Sequence, residues 1–178
     1  ILKLLPRSKK KNDVIFENEK IMIHKDTPVF DGQFSNRCYS ESVKQAFIDF
    51  RRKAIEEGRY DPDSDEILTN QWSRIIVHLP YAFQGKRMFP DVFRHDRREL
   101  PMWLKIVEEI GSEPLPSDYA DTPDGIEEFE KANDTYRRLI SKTGEFRAFV
   151  DERIEKTQRA SSLIGNQYTG SIFLALMS

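Results

Sequence analysis

In RIIVHLPYAFQGKR (Arg74–Arg87), three β-branched residues, Ile75, Ile76 and Val77, run straight into a histidine. A group that titrates near neutral pH at the end of a buried strand is placed for proton transfer, because ligands of open α/β sheets sit beyond the carboxyl ends of strands. The same histidine could instead close the strand with a hydrogen bond, and the local sequence leaves both readings open. Lys86 and Arg87 follow about two helical turns later, where a helix leaving the site could carry them to a phosphate. In GNQYTGS (Gly165–Ser171), small and hydrogen-bonding residues stand directly before an apolar segment. That composition suits either a backbone brought close to a ligand or tight helix packing.

Other candidates read as structural. Cys38 could pair with a histidine as a nucleophile, but no nucleophile elbow surrounds it, and a lone cysteine reads as a small buried hydrophobe. Asp61, Asp63 and Asp65 resemble the start of a calcium loop. Glu66 stands where the sharp turn needs glycine, and Trp72 where a bidentate glutamate belongs, so the run reads as a solvated turn. His24, His78 and His95 lack partners at metal-ligand spacing. The basic stretch Arg7–Lys11 lacks interleaved aromatics and reads as a solvated loop rather than an RNA contact.

The elements that must position these groups come from the periodicity. Alternation around Asn18-Glu19 predicts a hairpin. Residues 26–39 read as an irregular connection, and Ser40 as the N-cap of a helix that presents Val43, Ala46, Phe47, Phe50 and Ala54 on one face and ends near Gly58. A short helix at 66–72 leads into a strand at 74–78. The segment near 81–95 should kink or end at Pro90. Further helices are expected after Pro101 up to Gly111, from Thr122-Pro123 onward, and over about 145–163. The final segment, from Tyr168, is apolar on all sides and must be buried.

Composition sets outer bounds. The 178 residues carry 30 acids and 28 bases, a net charge of −2, with no global pull toward nucleic acid or membrane. A single cysteine fits a reducing compartment, and no run reaches the roughly 18 apolar residues of a membrane span. The chain begins with Ile1 and stops inside an apolar run, which suggests a piece of a longer protein.

Taken together and in order, VFDGQFSNRCY, HLPYAFQGKR and GNQYTGSIFLALMS resemble the hydroxymethylglutaryl-CoA synthase family of thiolase-fold condensing enzymes, over roughly residues 28–178. The resemblance implies an α/β chain with a partial thiolase-like fold. Residues 1–73 would end the first thiolase half, and 74–178 would begin the second, with a helical insertion at about 88–160. It implies condensation of acetyl-CoA with acetoacetyl-CoA through an acyl-cysteine intermediate, in the mevalonate route to isoprenoids. The two thioesters are substrates, and no further cofactor or metal is implied. His78 would meet the acetoacetyl group and stabilise charge on its oxygen. Asn166 would lie near the acyl group, Ser35 near bound CoA, and Tyr168 would shape the pocket. Arg87 and Lys86 would reach CoA phosphate. A homodimer in the cytoplasm, without nucleic-acid or membrane partners, is implied as well.

The departures shape the expectation. The family's nucleophilic cysteine and its glutamate belong to an upstream segment without counterpart here, and Cys38 does not match the nucleophile. Alone, this chain should therefore be inactive. Phe83 occupies the position at which many members carry a CoA-contacting lysine. The long helical segment between His78 and Asn166 resembles the family's longer forms, and the family's last glycine-rich loop has no match. Two other readings stay open. One is a related condensing enzyme that performs β-branching on carrier-protein-bound acyl groups. The other is a non-catalytic helical interaction module over 88–160.

Overall fold

The computed structural model describes residues 13–16, 19–22, 32–78, 84–165, 168 and 170–177. They fall into two units, residues 1–32 and 33–178. In the first, β1 (Asp13–Phe16) and β2 (Glu19–Met22) pair antiparallel, Asp13 opposite Met22 and Phe16 opposite Glu19. The hairpin is the expected one, with Glu19 already paired in β2.

The second unit is helical. Helix α1 (Gly32–Glu56) buries Phe47 and Ala54, with Val43 packed beside them. It starts at Gly32, so Ser40 lies inside it rather than at its cap. Gly, Ser and Asn weaken a helix by up to about 1 kcal/mol each, which is why 32–39 read as a loop. Two contacts anchor the extra turns: Tyr39 Oη donates to the His78 carbonyl (2.5 Å), and Gln84 Nε2 donates to Asn36 Oδ1 (3.2 Å). Gly58, at φ 65°, ends the helix as expected.

A 3₁₀ turn (Leu68–Gln71) stands where the short helix was expected. The Asp96 carboxylate accepts the Leu68 and Thr69 N–H groups and the Thr69 hydroxyl, a buried cap supplied from another element. The run 74–78 is not a strand. Its backbone is held by a helix instead: Ile75 N–H donates to the Arg153 carbonyl (2.8 Å), and Thr157 Oγ1 donates to the Ile75 carbonyl (2.7 Å). β-Branched residues favour extended backbone, but a strand also needs a neighbouring strand. Among the described residues of this unit there is none.

Helix α2 (Gln84–Arg97) passes through Pro90 without ending. An interior proline costs about 3 kcal/mol, and here Met88, Phe89, Val92 and Phe93 bury the helix on either side of it. Helices α3 (Trp103–Ile110) and α4 (Pro123–Ile140) follow the expected bounds, with Thr122 Oγ1 capping Gly125 N–H. Then α5 (Gly144–Val150), a π-turn (Asp151–Glu155) and α6 (Lys156–Ile164) run on as one rod. Gly165, at φ 91°, breaks the rod before α7 (Gly170–Met177).

The core centres on Phe93, edge-on to Phe146 (5.3 Å) and tilted against Phe149 (5.5 Å) and Trp103 (6.2 Å). Ile106, Ile140 and Ile154 close it. Phe47, Leu68 and Ile75 belong to the same core, so the helical stretch and the segment leading to His78 are packed together.

Candidate active site

His78 is the last described residue of an irregular segment that helix α6 and the π-turn fasten at Ile75. Arg153 adds a third fastening, its guanidinium donating to the Trp72 carbonyl (2.5 Å). The half-buried ring then meets α7: His78 Nδ1 lies 3.1 Å from Ser171 Oγ. Ser171 is fully buried, and its hydroxyl reaches the Tyr168 carbonyl at 2.8 Å. Tyr39 of α1 holds the His78 carbonyl. Burial raises the Tyr39 phenol above its ordinary range, so it stays a donor at neutral pH.

The three ordered sequence blocks therefore converge at one histidine. Tyr39 comes from the first, His78 from the second and Ser171 from the third, the bonded partners standing 39 and 93 positions apart in the chain.

Other candidates are placed differently. Ser35 is exposed on α1, one turn before Tyr39 and on the same side of the helix. Tyr168 is 76% exposed, in left-handed backbone at φ 49°. Such backbone is costly for a bulky residue and is typical of a chain bent to serve a site. Asn166 lies outside the described residues. Lys86 pairs with Glu155 at 2.5 Å, and Arg87 is exposed on α2. Cys38 is exposed, contrary to the expected buried position. Among the described residues no three His, Cys, Asp or Glu side chains gather around a possible metal position. An open groove of about 500 Å³ lined by Arg98, Trp103, Val107 and Glu113 contains none of the residues singled out from the sequence.

Tyr39 and Ser171 were not singled out from the sequence as partners of His78. Both stand inside the recognised blocks, and that placement was the only signal available.

The sequence matches the family described as hydroxymethylglutaryl-coenzyme A synthase C terminal, over residues 16–178. The chain belongs to this family. It is 28% identical over 162 residues to the hydroxymethylglutaryl-CoA synthase of Haloferax volcanii, covering 91% of this chain and 33% of that protein. To the hydroxymethylglutaryl-CoA synthase of Saccharomyces cerevisiae it is 24% identical over 156 residues, covering 85% and 29%. A solved structure, MvaS in complex with 3-hydroxy-3-methylglutaryl coenzyme A, superposes with a TM-score of 0.54 at 22% identity, over 83% of this chain and 28% of that one. This likeness establishes the fold as part of a thiolase-like fold. The chain spans about a third of the length of the curated relatives it matches.

Proposed function

We propose that the protein to which this synthase-family chain belongs condenses acetyl-CoA with acetoacetyl-CoA to 3-hydroxy-3-methylglutaryl-CoA. The observation that carries the reading is the convergence of the three family blocks on His78. A cysteine thiolate outside the matched blocks takes the acetyl group and releases CoA. A base removes a methyl proton, and the resulting carbon attacks the acetoacetyl ketone. The ketone π pair moves to oxygen, where His78 stabilises it. Water then cleaves the enzyme thioester. Ser35 and Asn166 contact substrate, Tyr168 shapes the pocket, and Arg87 with Lys86 reaches toward CoA phosphate. No further cofactor is required.

In the whole protein, this reading makes the chain the junction of two α/β thiolase halves, divided near 73/74, with 88–160 inserted into the second. A cytoplasmic homodimer goes with it. Among the described residues no helix is long and apolar enough to cross a membrane.

The test is acetoacetyl-CoA-dependent release of CoA by the intact protein. His78→Ala should lower kcat by about 10²-fold or more, the typical range for a lost oxyanion donor. Normal turnover by that variant removes His78 from the mechanism.

One observation favours a second reading, condensation on carrier-protein-bound acyl groups. Phe83 supplies no charge where a CoA contact was expected, and Lys86 is engaged by Glu155. Turnover of free acetoacetyl-CoA that depends on Arg87 supports the first reading, and dependence on an acyl carrier protein supports the second. A separate interaction module at 88–160 is disfavoured, because that stretch shares its core with Phe47, Leu68 and Ile75.

A further inference from the structure

A strand would carry His78 on a ladder of hydrogen bonds, and the segment 74–78 has no ladder. The bonds to the π-turn and α6 end at Ile75, whose N–H donates to the Arg153 carbonyl and whose carbonyl accepts from Thr157 Oγ1. Ile76 and Val77 follow. Among the described residues, the next main-chain bond is at His78 itself, where the carbonyl accepts from Tyr39 Oη at 2.5 Å. The donor is held in turn. The Tyr39 ring packs against the core cluster. Asn36, one turn earlier on the same side of α1, accepts from Gln84 Nε2 (3.2 Å) at the start of α2. Helix α1 therefore grips the chain at two points, the main chain of His78 and the side chain of Gln84.

We propose that Tyr39 is a positioning residue for His78: its hydroxyl pins the main chain that carries the imidazole, so that the ring keeps one place. The carbonyl carbon is bonded to the Cα that bears the ring, and holding the one limits the movement of the other. In this role Tyr39 transfers no proton and acts through His78. The proposal rests on the condensation reading for its effect on rate, and on geometry alone for its effect on the ring. A group that stabilises charge on a reacting oxygen must stand within hydrogen-bond distance of it, and a misplacement of about 1 Å can cost about 10²-fold in rate. Such a loss falls on kcat, because the charge exists only once the carbon–carbon bond is forming.

The experiment uses Tyr39→Phe in the intact protein, a change that keeps the ring against the core and removes only the hydroxyl. In the condensation assay the variant should lower kcat about tenfold to a hundredfold, with KM for both thioesters nearly unchanged. Because Tyr39 acts through His78, the two losses should not add: in a His78→Ala background, Tyr39→Phe should lower kcat by no more than about twofold. Nitrogen-15 NMR of the histidine rings gives a readout that does not depend on turnover. The His78 signals, identified by their loss in His78→Gln, should move or split in Tyr39→Phe while those of His95 stay in place. Unchanged kcat in Tyr39→Phe overturns the proposal. So does an equal loss with and without His78, which would make Tyr39 act on its own, and so do His78 ring signals that ignore the substitution. Normal turnover by His78→Ala would defeat the condensation role of His78 and leave the ring signals to decide whether Tyr39 positions it.

Discussion

His95 on α2 sits among cations. Burial first, then Arg98, Arg94 and Lys44, lower its pKa from 6.5 to about 4, with Glu41 opposing weakly. The unfolded chain therefore binds a proton near 6.5 that the folded chain refuses until about 4. Between these values the unfolded state holds more protons, so stability climbs as pH rises through the window and levels off above it. Urea midpoints measured from pH 4 to 7 should show that slope, and His95→Gln should flatten it; an unchanged slope in the variant would exclude His95 as its source. Gln158 poses another residue-scale test. Its side chain is buried against Gly85, and among the described residues neither its amide nitrogen nor its oxygen has a partner. An orphaned buried polar group costs about 1–3 kcal/mol, so Gln158→Met should raise stability by about 1 kcal/mol in denaturant unfolding. A loss of stability would mean that the amide makes bonds of its own. At this scale His78 was legible in the sequence, because a histidine after a β-branched run is conspicuous. Its partners were not, because a serine 93 residues away has no local signature.

Among the elements, local signals were reliable where the cause was local. Thr122-Pro123 starts α4 by the expected cap, and Thr122→Ala should cost about 1 kcal/mol in thermal or urea unfolding. Where tertiary bonding decided, the sequence pattern misled. The α1 start depends on Tyr39 and Asn36 reaching other segments, the course of α2 through Pro90 depends on burial, and 74–78 forms no strand, with Ile75 bonded to the π-turn and α6 instead. Thr157→Val tests that last arrangement. The variant keeps the shape, removes the donor to the Ile75 carbonyl and should cost about 1–2 kcal/mol. If 72–78 does order His78, hydrogen exchange at Ile75 should accelerate in this variant more than in the Phe93 core. Gly125 is constrained in a different way. A Cβ there would lie 2.1 Å from the Ala120 carbonyl oxygen, so α4 begins against backbone that only glycine can approach.

Across the whole molecule, α7 departs most from expectation. Its composition called for full burial, yet Phe173, Leu176 and Met177 are 62%, 64% and 83% exposed, and Leu163 and Ile164 at the end of α6 are exposed as well. A helix this apolar is legible as buried from sequence, but what buries it is not, because burial belongs to the assembly and not to the segment. The 178-residue chain alone should bind a hydrophobic dye strongly and self-associate, and Phe173→Asp with Leu176→Asp should abolish both without disturbing the Phe93 core. Dye binding unchanged by the double variant would place the sticky surface elsewhere. The π-turn has a consequence at this same scale. Each residue of an α-helix advances the chain by about 100°, so one added or missing position rotates everything downstream by more than a quarter turn. The wider turn at 151–155 takes up such a surplus in place. It acts as a phase corrector: the rod can vary in length by a residue upstream while Thr157, Gln158 and the approach to Ser171 keep the same heading.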